Sequence, residues 1–157
     1  MLSLTLGCMY SGKTSKLISD VNRNPGLVID YDTGDNTTSL LNHNLESIPC
    51  VKTKQLMNLT LDQHVYINEA QFFKDLIPFV KMALAKQSNV YVYGLDGDFK
   101  QDVFGDILQL IPLCDTYVKL YATCRCGALA PFSKRLSASV EQYMPHDQYI
   151  PSCRQCL

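Results

Sequence analysis

The chain lacks the features that mark several large classes of protein. Its 157 residues contain 14 Lys and Arg against 15 Asp and Glu, so the net charge is −1. Nucleic-acid binders usually have a basic face, which this balance disfavours. No apolar run approaches the ~18 residues that span a membrane, and the N-terminus has no charged, apolar signal-peptide pattern. We therefore expect a cytoplasmic protein without nucleic-acid or membrane partners, and the balanced charge fits an enzyme that holds its ligand with a few placed cations.

Cysteine, by contrast, is abundant, with seven residues. An odd count suits disulfide pairing poorly, and clustered cysteines in a reducing compartment are typical of metal sites. Cys124 and Cys126 form one pair, and Cys153 and Cys156 form a second pair. The two pairs are separated by 26 intervening residues. Two such pairs predict a structural zinc ribbon, in which metal binding replaces a core that so short a segment cannot build. Because the first pair is one residue shorter than usual, free thiols, a disulfide or a metal-free ribbon remain alternatives. The isolated Cys8, Cys50 and Cys114 are predicted to be small buried apolar residues.

Residues 7–14 (GCMYSGKT) fit the phosphate-binding loop pattern G-x-x-x-x-G-K-[ST]. The apolar run 2–6 precedes them and a helix-compatible segment, 11–21, follows, which is the strand–loop–helix setting that this motif requires. In such a loop, backbone amides and the helix N-terminus face phosphate oxygens, and the lysine and threonine serve the β/γ phosphates and Mg²⁺. The predicted ATP-binding residues are Gly7, Met9, Tyr10, Ser11, Gly12, Lys13 and Thr14.

Alternating strand and helix patterns predict a parallel sheet covered by helices. The predicted strands are 27–29, 65–67, 90–93 and 115–122, and the predicted helices are 72–86 and 105–113. The polar segment 32–44 is predicted to be a surface loop. Composition changes after residue 122, so we expect a first domain at 1–123 and a small ribbon domain at 124–157.

An acidic and aromatic run, 68–73 (NEAQFF), follows the strand 65–67. A carboxylate at the end of such a strand can hold Mg²⁺ through water or accept a proton from the attacking group, and Glu69 is the acid available there. Alternatively, Glu69 only complements a helix dipole. One of Phe72 and Phe73 is expected in the core and the other at the ligand. The run 95–99 (LDGDF) is either a plain turn or a rim that offers Leu95, Phe99 and Phe104 to a flat apolar ligand.

In this order, the motifs GCMYSGKT, NEAQFF, GLDGDF, TCRCG, FSKRL and SCRQC resemble the zinc-containing (type II) thymidine kinase family, over residues 2–156. The resemblance implies an α/β fold of the P-loop NTPase type, with a helix-flanked parallel sheet and a C-terminal zinc ribbon with a lasso loop. It implies transfer of the γ-phosphoryl of ATP to the 5′-hydroxyl of thymidine or deoxyuridine. It also implies Mg²⁺ with ATP, structural Zn²⁺, feedback inhibition by dTTP and a homotetramer.

By the same resemblance, Glu69 is the general base, Tyr149 is the tyrosine of the lasso loop, and residues 140–144 form the rest of that loop. The implied Mg²⁺-associated residues are Thr14, Asp32 and Asn68. The implied nucleoside-binding residues are Met9, Phe72, Leu95, Phe99, Phe104, Val140, Tyr143 and Tyr149. The implied zinc ligands are Cys124, Cys126, Cys153 and Cys156.

The chain departs from the family pattern at three points. Asn68 stands where the family usually has Asp, Gly34 stands where it usually has Arg, and the first cysteine pair is C-x-C. The first two changes remove one negative and one positive group near the expected phosphate site. Asp32 could serve the metal instead, and Lys134 or Arg135 could supply charge. A weakened or inactive nucleotide-binding homologue, or a kinase for another deoxynucleoside, is therefore the alternative function.

Overall fold

The computed structural model describes residues 1–157 and contains twelve strands and two α-helices. In chain order the strands are β1 (Leu2–Gly7), β2 (Leu27–Tyr31), β3 (Ser39–Leu41), β4 (Ser47–Pro49), β5 (Val51–Thr53), β6 (His64–Ile67), β7 (Asn89–Gly94), β8 (Thr116–Leu120), β9 (Ala122–Thr123), β10 (Leu129–Ala130), β11 (Phe132–Arg135) and β12 (Tyr149–Ser152). The helices are α1 (Lys13–Arg23) and α2 (Leu76–Ala85), with 3-10 helices at Ala70–Phe72 and Ile107–Leu113.

Six of these strands form a parallel sheet in the order β5-β2-β6-β7-β1-β8. Side chains of one strand alternate between the two faces, so each strand serves two apolar clusters. Leu4, Ile67 and Val92 pack with α2 in the larger cluster, while Tyr66 and Tyr93 pack with α1 on the opposite face. Burial on both faces explains why these strands are nearly continuous apolar runs.

The C-terminal residues form two small hairpins, β9 with β10 and β11 with β12. These hairpins contact the phosphate-binding loop, because the Cys8 thiol donates to the Ala130 carbonyl at 3.1 Å and the Met9 amide donates to Ser133 Oγ at 2.9 Å. The helix-flanked parallel sheet and the C-terminal cysteine cluster confirm the predicted fold class. Neither α-helix is long and apolar enough to cross a membrane.

One local prediction was wrong. The segment 32–44 is not wholly irregular, because β3 lies inside it and pairs with β4. The predicted short helix in 105–113 is present as a 3-10 helix over Ile107–Leu113, with Pro112 inside it. In α2, Pro78 occupies the first turn, where its missing N–H costs no hydrogen bond, so the helix begins beside it without a kink.

Candidate active site

A cavity of about 390 Å³ opens at the carboxyl edge of the parallel sheet, where ligands bind in open α/β folds. We call it the central cavity. The phosphate-binding loop after β1, the residues after β6 and the β3–β4 hairpin surround it. Its charged lining consists of Lys13, Lys52, Asp30, Asp35 and Glu69. Two cations against three carboxylates leave this lining without a positive excess.

The backbone of the predicted phosphate-binding loop, residues 7–14, turns sharply between β1 and α1. Tyr10 and Gly12 have positive φ angles of 65° and 86°, which fold the loop back before α1 begins at Lys13. The Lys13 ammonium donates to the Cys8 carbonyl at 2.7 Å across the loop. At Gly7 any Cβ would lie 2.5 Å from the Leu120 carbonyl oxygen, so only glycine fits there.

Lys13 is a buried cation, and burial lowers its pKa. The negative charge of Glu69 opposes this shift. The sequence therefore brings its predicted lysine and its predicted acid to the same cavity.

The Glu69 backbone lies in the left-handed region, with φ 50° and ψ 40°. Left-handed non-glycine residues cluster at functional sites, where surrounding structure stabilises them. Here Gln71, which is buried, donates from Nε2 to Glu69 Oε2 at 2.6 Å and accepts at Oε1 from the Leu95 amide at 3.0 Å. Because the Leu95 amide fixes which end of the Gln71 side chain is the acceptor, the other end must donate to Glu69. No local pattern in the sequence predicted that Gln71 would make these two contacts.

A buried polar network adjoins Glu69 at the end of β6. Asn68 Nδ2 donates to Asp30 Oδ1 at 2.8 Å, and Lys52 Nζ contacts Asp30 Oδ2 at 2.8 Å and Asp35 Oδ2 at 3.1 Å. Although burial lowers the pKa of Lys52, its hydrogen bonds and charge pairing with Asp30 and Asp35 raise that pKa above the usual value. Neither Asp30 nor Lys52 was predicted. A lone acid inside the apolar strand LVIDY is the signal that could have found Asp30, because unpaired acids are rarely buried.

The β3–β4 hairpin lies against the phosphate-binding loop. The ring of His43 stacks on Tyr10 with centroids 5.0 Å apart, and Asn42 Nδ2 donates to Ser15 Oγ at 3.1 Å. His43 and Asn42 both line the central cavity, as Tyr10 does. The polar segment 32–44 thus contributes part of the wall around the predicted phosphate site.

The predicted nucleoside residues fall into two groups. Met9, Phe72, Leu95 and Tyr143 line the central cavity. Phe104 lies behind it, edge-to-face with Phe72 at 5.3 Å and with Tyr143 at 6.3 Å. Phe99, Val140 and Tyr149 do not line the cavity. Phe73, in contrast to Phe72, is buried in the larger apolar cluster.

Asp32, the predicted Mg²⁺-associated acid, also lies outside the cavity lining. Its Oδ1 accepts from the Gly34 amide at 2.8 Å in a local turn. Thr14 and Asn68 do line the cavity. Lys134 and Arg135 do not, because Lys134 Nζ donates to the Cys156 carbonyl at 2.7 Å and Arg135 is surrounded by the lasso loop.

Arg135 is the centre of the lasso loop. Its side chain is 1% exposed and pairs with Asp147 at 3.0 Å. The guanidinium also donates to the Ser139 and Glu141 carbonyls and to the Tyr149 hydroxyl. It lies over the Phe99 ring, 4.0 Å from the centroid, which is cation–π distance.

Tyr143 is the part of the lasso loop that reaches the central cavity, where it packs edge-to-face on Phe72 at 4.8 Å. Burial raises the pKa of its hydroxyl, and the nearby charges of Glu69 and Tyr149 add to the increase. The guanidinium of Arg135 therefore holds the lasso loop, and the ring of Tyr143 forms part of the cavity wall.

Four cysteine sulfurs lie together at the C-terminal hairpins. The Sγ atoms of Cys124, Cys126, Cys153 and Cys156 are all within 4.8 Å of one another. Tetrahedral zinc with bonds of about 2.3 Å places its sulfurs about 3.8 Å apart, and the 3.6 Å between Cys126 and Cys153 is close to that value. Gly127, with φ 86°, makes the turn after the first pair, and its amide donates to the Cys124 carbonyl at 2.8 Å. The cluster is compatible with a structural zinc ion despite its C-x-C spacing.

Comparison with known proteins gives one family. The family model described as thymidine kinase matches residues 1–157. The chain is 36% identical over 169 residues to the thymidine kinase of Variola virus, an alignment that covers 99% of this chain and 95% of the viral protein. It is 33% identical to the thymidine kinase of Oryza sativa, covering 98% of this chain and 65% of the plant protein. It is also 33% identical to the cytosolic thymidine kinase of Cricetulus griseus, covering 99% of this chain and 72% of that protein. On this evidence the chain belongs to the thymidine kinase family.

Proposed function

We propose that this chain transfers the γ-phosphoryl group of ATP to the 5′-hydroxyl of thymidine or deoxyuridine, with Glu69 as general base. Family membership over residues 1–157 supports the activity. The observation that supports the mechanism is that Lys13 and Glu69 line one cavity of about 390 Å³. This volume is within the usual range for small-molecule sites.

In the proposed mechanism the β and γ phosphates of ATP lie in the phosphate-binding loop, where Lys13 and the loop amides bind their oxygens. Mg²⁺ neutralises charge on the triphosphate when it is bound. The residues that would hold the ion with its waters are Thr14 through its hydroxyl and Asn68 through its amide oxygen, both hard oxygen donors in the cavity lining. Positioning and charge stabilisation supply most of the catalysis in phosphoryl transfer.

Glu69 would accept the proton of the 5′-hydroxyl as its oxygen bonds to the γ phosphorus. The bond from that phosphorus to the β–γ bridging oxygen breaks, and ADP leaves with its electron pair. Gln71 holds Glu69 Oε2, which leaves Oε1 for the hydroxyl. Fixing the carboxylate in this way reduces the reorganisation that proton transfer requires.

We propose that Met9, Phe72, Leu95 and Tyr143 wall the nucleoside, with Phe104 supporting the aromatic rings from behind. Flat apolar walls bind any pyrimidine, so rejection of cytosine must come from hydrogen-bond polarity. A buried donor or acceptor left unpaired costs ~1–3 kcal/mol. The lasso loop, with Val140 and Tyr149, would offer those polar groups. Phe99 would act through Arg135, whose guanidinium covers its ring.

We further propose that the four clustered cysteines bind one structural Zn²⁺ and that residues 124–157 form a separate ribbon domain beside a kinase domain of residues 1–123. Inhibition by dTTP fits a site that recognises thymidine and phosphates together. A homotetramer, which the family resemblance implies, and a cytoplasmic location, which the sequence patterns favour, complete the proposal.

The test is a coupled assay of ADP release by the purified chain with ATP, Mg²⁺ and each of thymidine, deoxyuridine, deoxycytidine and deoxyadenosine. We expect ADP release that depends on thymidine and deoxyuridine. Release that depends on another deoxynucleoside would establish the alternative kinase. ATP binding without turnover on any of the four would establish the inactive homologue, which the replacement at Asn68 favours.

A further inference from the structure

Two neighbouring strands bring Asp30 and Asn68 side by side. In the parallel register Ile29 pairs with Ile67, so the next residues, Asp30 on β2 and Asn68 after β6, stand beside each other at the carboxyl edge of the sheet. The backbone continues the ladder there, because the Asn68 amide donates to the Ile29 carbonyl at 2.8 Å. Both side chains are buried, at 5% and 4% exposure, and both line the central cavity.

The Asp30 carboxylate has both oxygens occupied by protein donors. Oδ1 accepts from Asn68 Nδ2 at 2.8 Å, and Oδ2 pairs with Lys52 Nζ at 2.8 Å. A carboxylate so engaged does not need to touch a metal ion to affect it. Only the nitrogen of an amide can donate, so the bond to Asp30 fixes the Asn68 side chain and directs its oxygen away from Asp30. The same bond draws electron density toward that oxygen.

Groups that orient and polarise a metal's ligands tune the site nearly as strongly as the ligands themselves. Asn68 is neutral, so alone it offers Mg²⁺ a weaker acceptor than a carboxylate would. A full negative charge lies one hydrogen bond behind it on Asp30. The negative charge that the family usually carries at position 68 is thus carried by Asp30 on the neighbouring strand. Adjacent strands of a sheet are about 4.8 Å apart.

We propose that Asp30 is the positioning residue of the magnesium site, holding and polarising the Asn68 amide so that its oxygen accepts a hydrogen bond from metal-bound water. The proposal rests on the proposed function, because it assumes that the central cavity takes ATP with Mg²⁺. Lys52 holds the Asp30 carboxylate in place from its other side, through the 2.8 Å contact with Oδ2. Asp32, two residues further along, has no part in it, since it lies outside the cavity lining.

The test uses Asp30→Asn, Asn68→Asp and the double variant with both changes. The double variant exchanges the two side chains and retains one carboxylate, one amide and a hydrogen bond between them. Asp32→Asn is the control, because it removes a nearby carboxylate that lies outside the cavity lining and leaves the Asp30–Asn68 bond in place. For each protein, isothermal titration calorimetry measures the ATP Kd with Mg²⁺ and with EDTA, without any nucleoside.

We expect Mg²⁺ to strengthen ATP binding in the parent chain and, to the same extent, in Asp32→Asn. In Asp30→Asn this strengthening should fall about tenfold, the usual size for losing a group that supports a metal ligand. The ATP Kd in EDTA should stay within about twofold, which separates a metal effect from misfolding. The double variant should recover most of the loss, because its carboxylate then faces the metal directly. Asn68→Asp alone removes the amide donor to Asp30, and it completes the cycle from which the coupling between the two positions is measured.

The proposal is overturned if Mg²⁺ strengthens ATP binding to Asp30→Asn as much as it does to the parent chain. It is also overturned if Asp30→Asn weakens ATP binding in EDTA as much as in Mg²⁺, or if Mg²⁺ strengthens ATP binding to the double variant no more than to Asp30→Asn. An effect of Asp32→Asn in place of Asp30→Asn would also overturn it. Because no nucleoside is present, these outcomes are independent of whether thymidine is the acceptor, which the ADP-release assay decides.

Discussion

At the scale of single residues, the proposed reaction depends on the carboxylate of Glu69, which is the proposed proton acceptor. Glu69→Gln keeps the size of the side chain and its left-handed backbone, and it removes the proton acceptor. We expect kcat to fall by ~10²- to 10⁴-fold, the usual contribution of a general base. The KM for thymidine should change little, because the base acts mainly in the transition state. Steady-state kinetics with varied thymidine measures both constants.

Equal kcat values for the parent chain and Glu69→Gln would refute the assignment of Glu69 as base. Gln71→Leu is the informative companion, because it removes the donor to Glu69 Oε2 and leaves the carboxylate charged. It should lower kcat less than Glu69→Gln does. A larger loss in Gln71→Leu would mean that Gln71, rather than Glu69, contacts the reacting groups.

Gly105 packs against the backbone of Gln71, the residue whose side chain donates to the Glu69 carboxylate. Its φ is 60°, and an added Cβ would lie 2.0 Å from the Gln71 carbonyl oxygen, a backbone atom that cannot rotate away. Gly105→Ala should therefore lower the free energy of unfolding by more than about 2 kcal/mol. Gly34→Ala is the matched control, because Gly34 also has positive φ, at 87°, but nothing lies within 4 Å of its Cβ position. It should cost about 1 kcal/mol. Urea unfolding compares the two, and equal losses would refute the steric explanation.

At the scale of elements, Arg135 connects the lasso loop to the kinase part. Arg135→Gln removes the partner of Asp147 and the donors to the loop carbonyls, so the loop should loosen and Tyr143 should lose its fixed position on Phe72. We expect the KM for thymidine to rise at least about tenfold, equivalent to ~1.4 kcal/mol, with the ATP Kd unchanged.

Lys134→Gln serves as the control for Arg135→Gln, because its ammonium points to the Cys156 carbonyl and not to the loop. Its thymidine KM should match that of the parent chain. If Arg135→Gln weakens ATP and thymidine binding equally, then the guanidinium stabilises the whole fold rather than the loop. Zinc content measured on both variants checks that the ribbon remains intact.

The strands of the sheet were predictable from the sequence because each is a short apolar run buried on both faces. Val65 to Ile67 and Val90 to Tyr93 lie inside β6 and β7 as expected. The hairpin of β3 and β4 was not predictable, since each three-residue strand has a single buried side chain, Leu40 or Ile48. A single buried side chain in each strand does not make an alternating pattern.

The candidate site was predictable where a local motif specifies it and hidden where it depends on pairing between strands. Lys13 and Glu69 follow from motifs that are contiguous in the chain. Asp30 and Lys52 reach the site because β2 pairs with β6 and β5 in a register that no local pattern encodes. Arg135 was expected to supply charge to phosphates. The structure instead shows it surrounded by its own loop, since Asp147 and Tyr149 return to it from residues further along the chain.

At the scale of the whole molecule, the cysteine cluster should control both the ribbon and the phosphate-binding loop. Residues 122–157 contain few buried apolar side chains, of which Cys124, Ala130 and Cys153 form the small cluster. A bound metal would therefore supply most of the folding energy of that part. Hydrogen bonds from Cys8 and Met9 to Ala130 and Ser133 then connect that part to the loop that holds phosphates.

Cys156→Ser tests this dependence, with Cys114→Ser as the control because Cys114 lies outside the cluster and its thiol donates to the Ile111 carbonyl. Elemental analysis should find about one zinc per chain in the parent protein and in Cys114→Ser, as expected for one four-thiolate site. In Cys156→Ser it should find much less.

The same variant should unfold at a lower temperature, and its ATP affinity should fall together with its thymidine affinity because the phosphate-binding loop loses its contacts with the ribbon. Thymidine binding lost with ATP binding intact would show that the metal supports the lasso loop alone, and full zinc in Cys156→Ser would show that the fourth thiol is not a ligand.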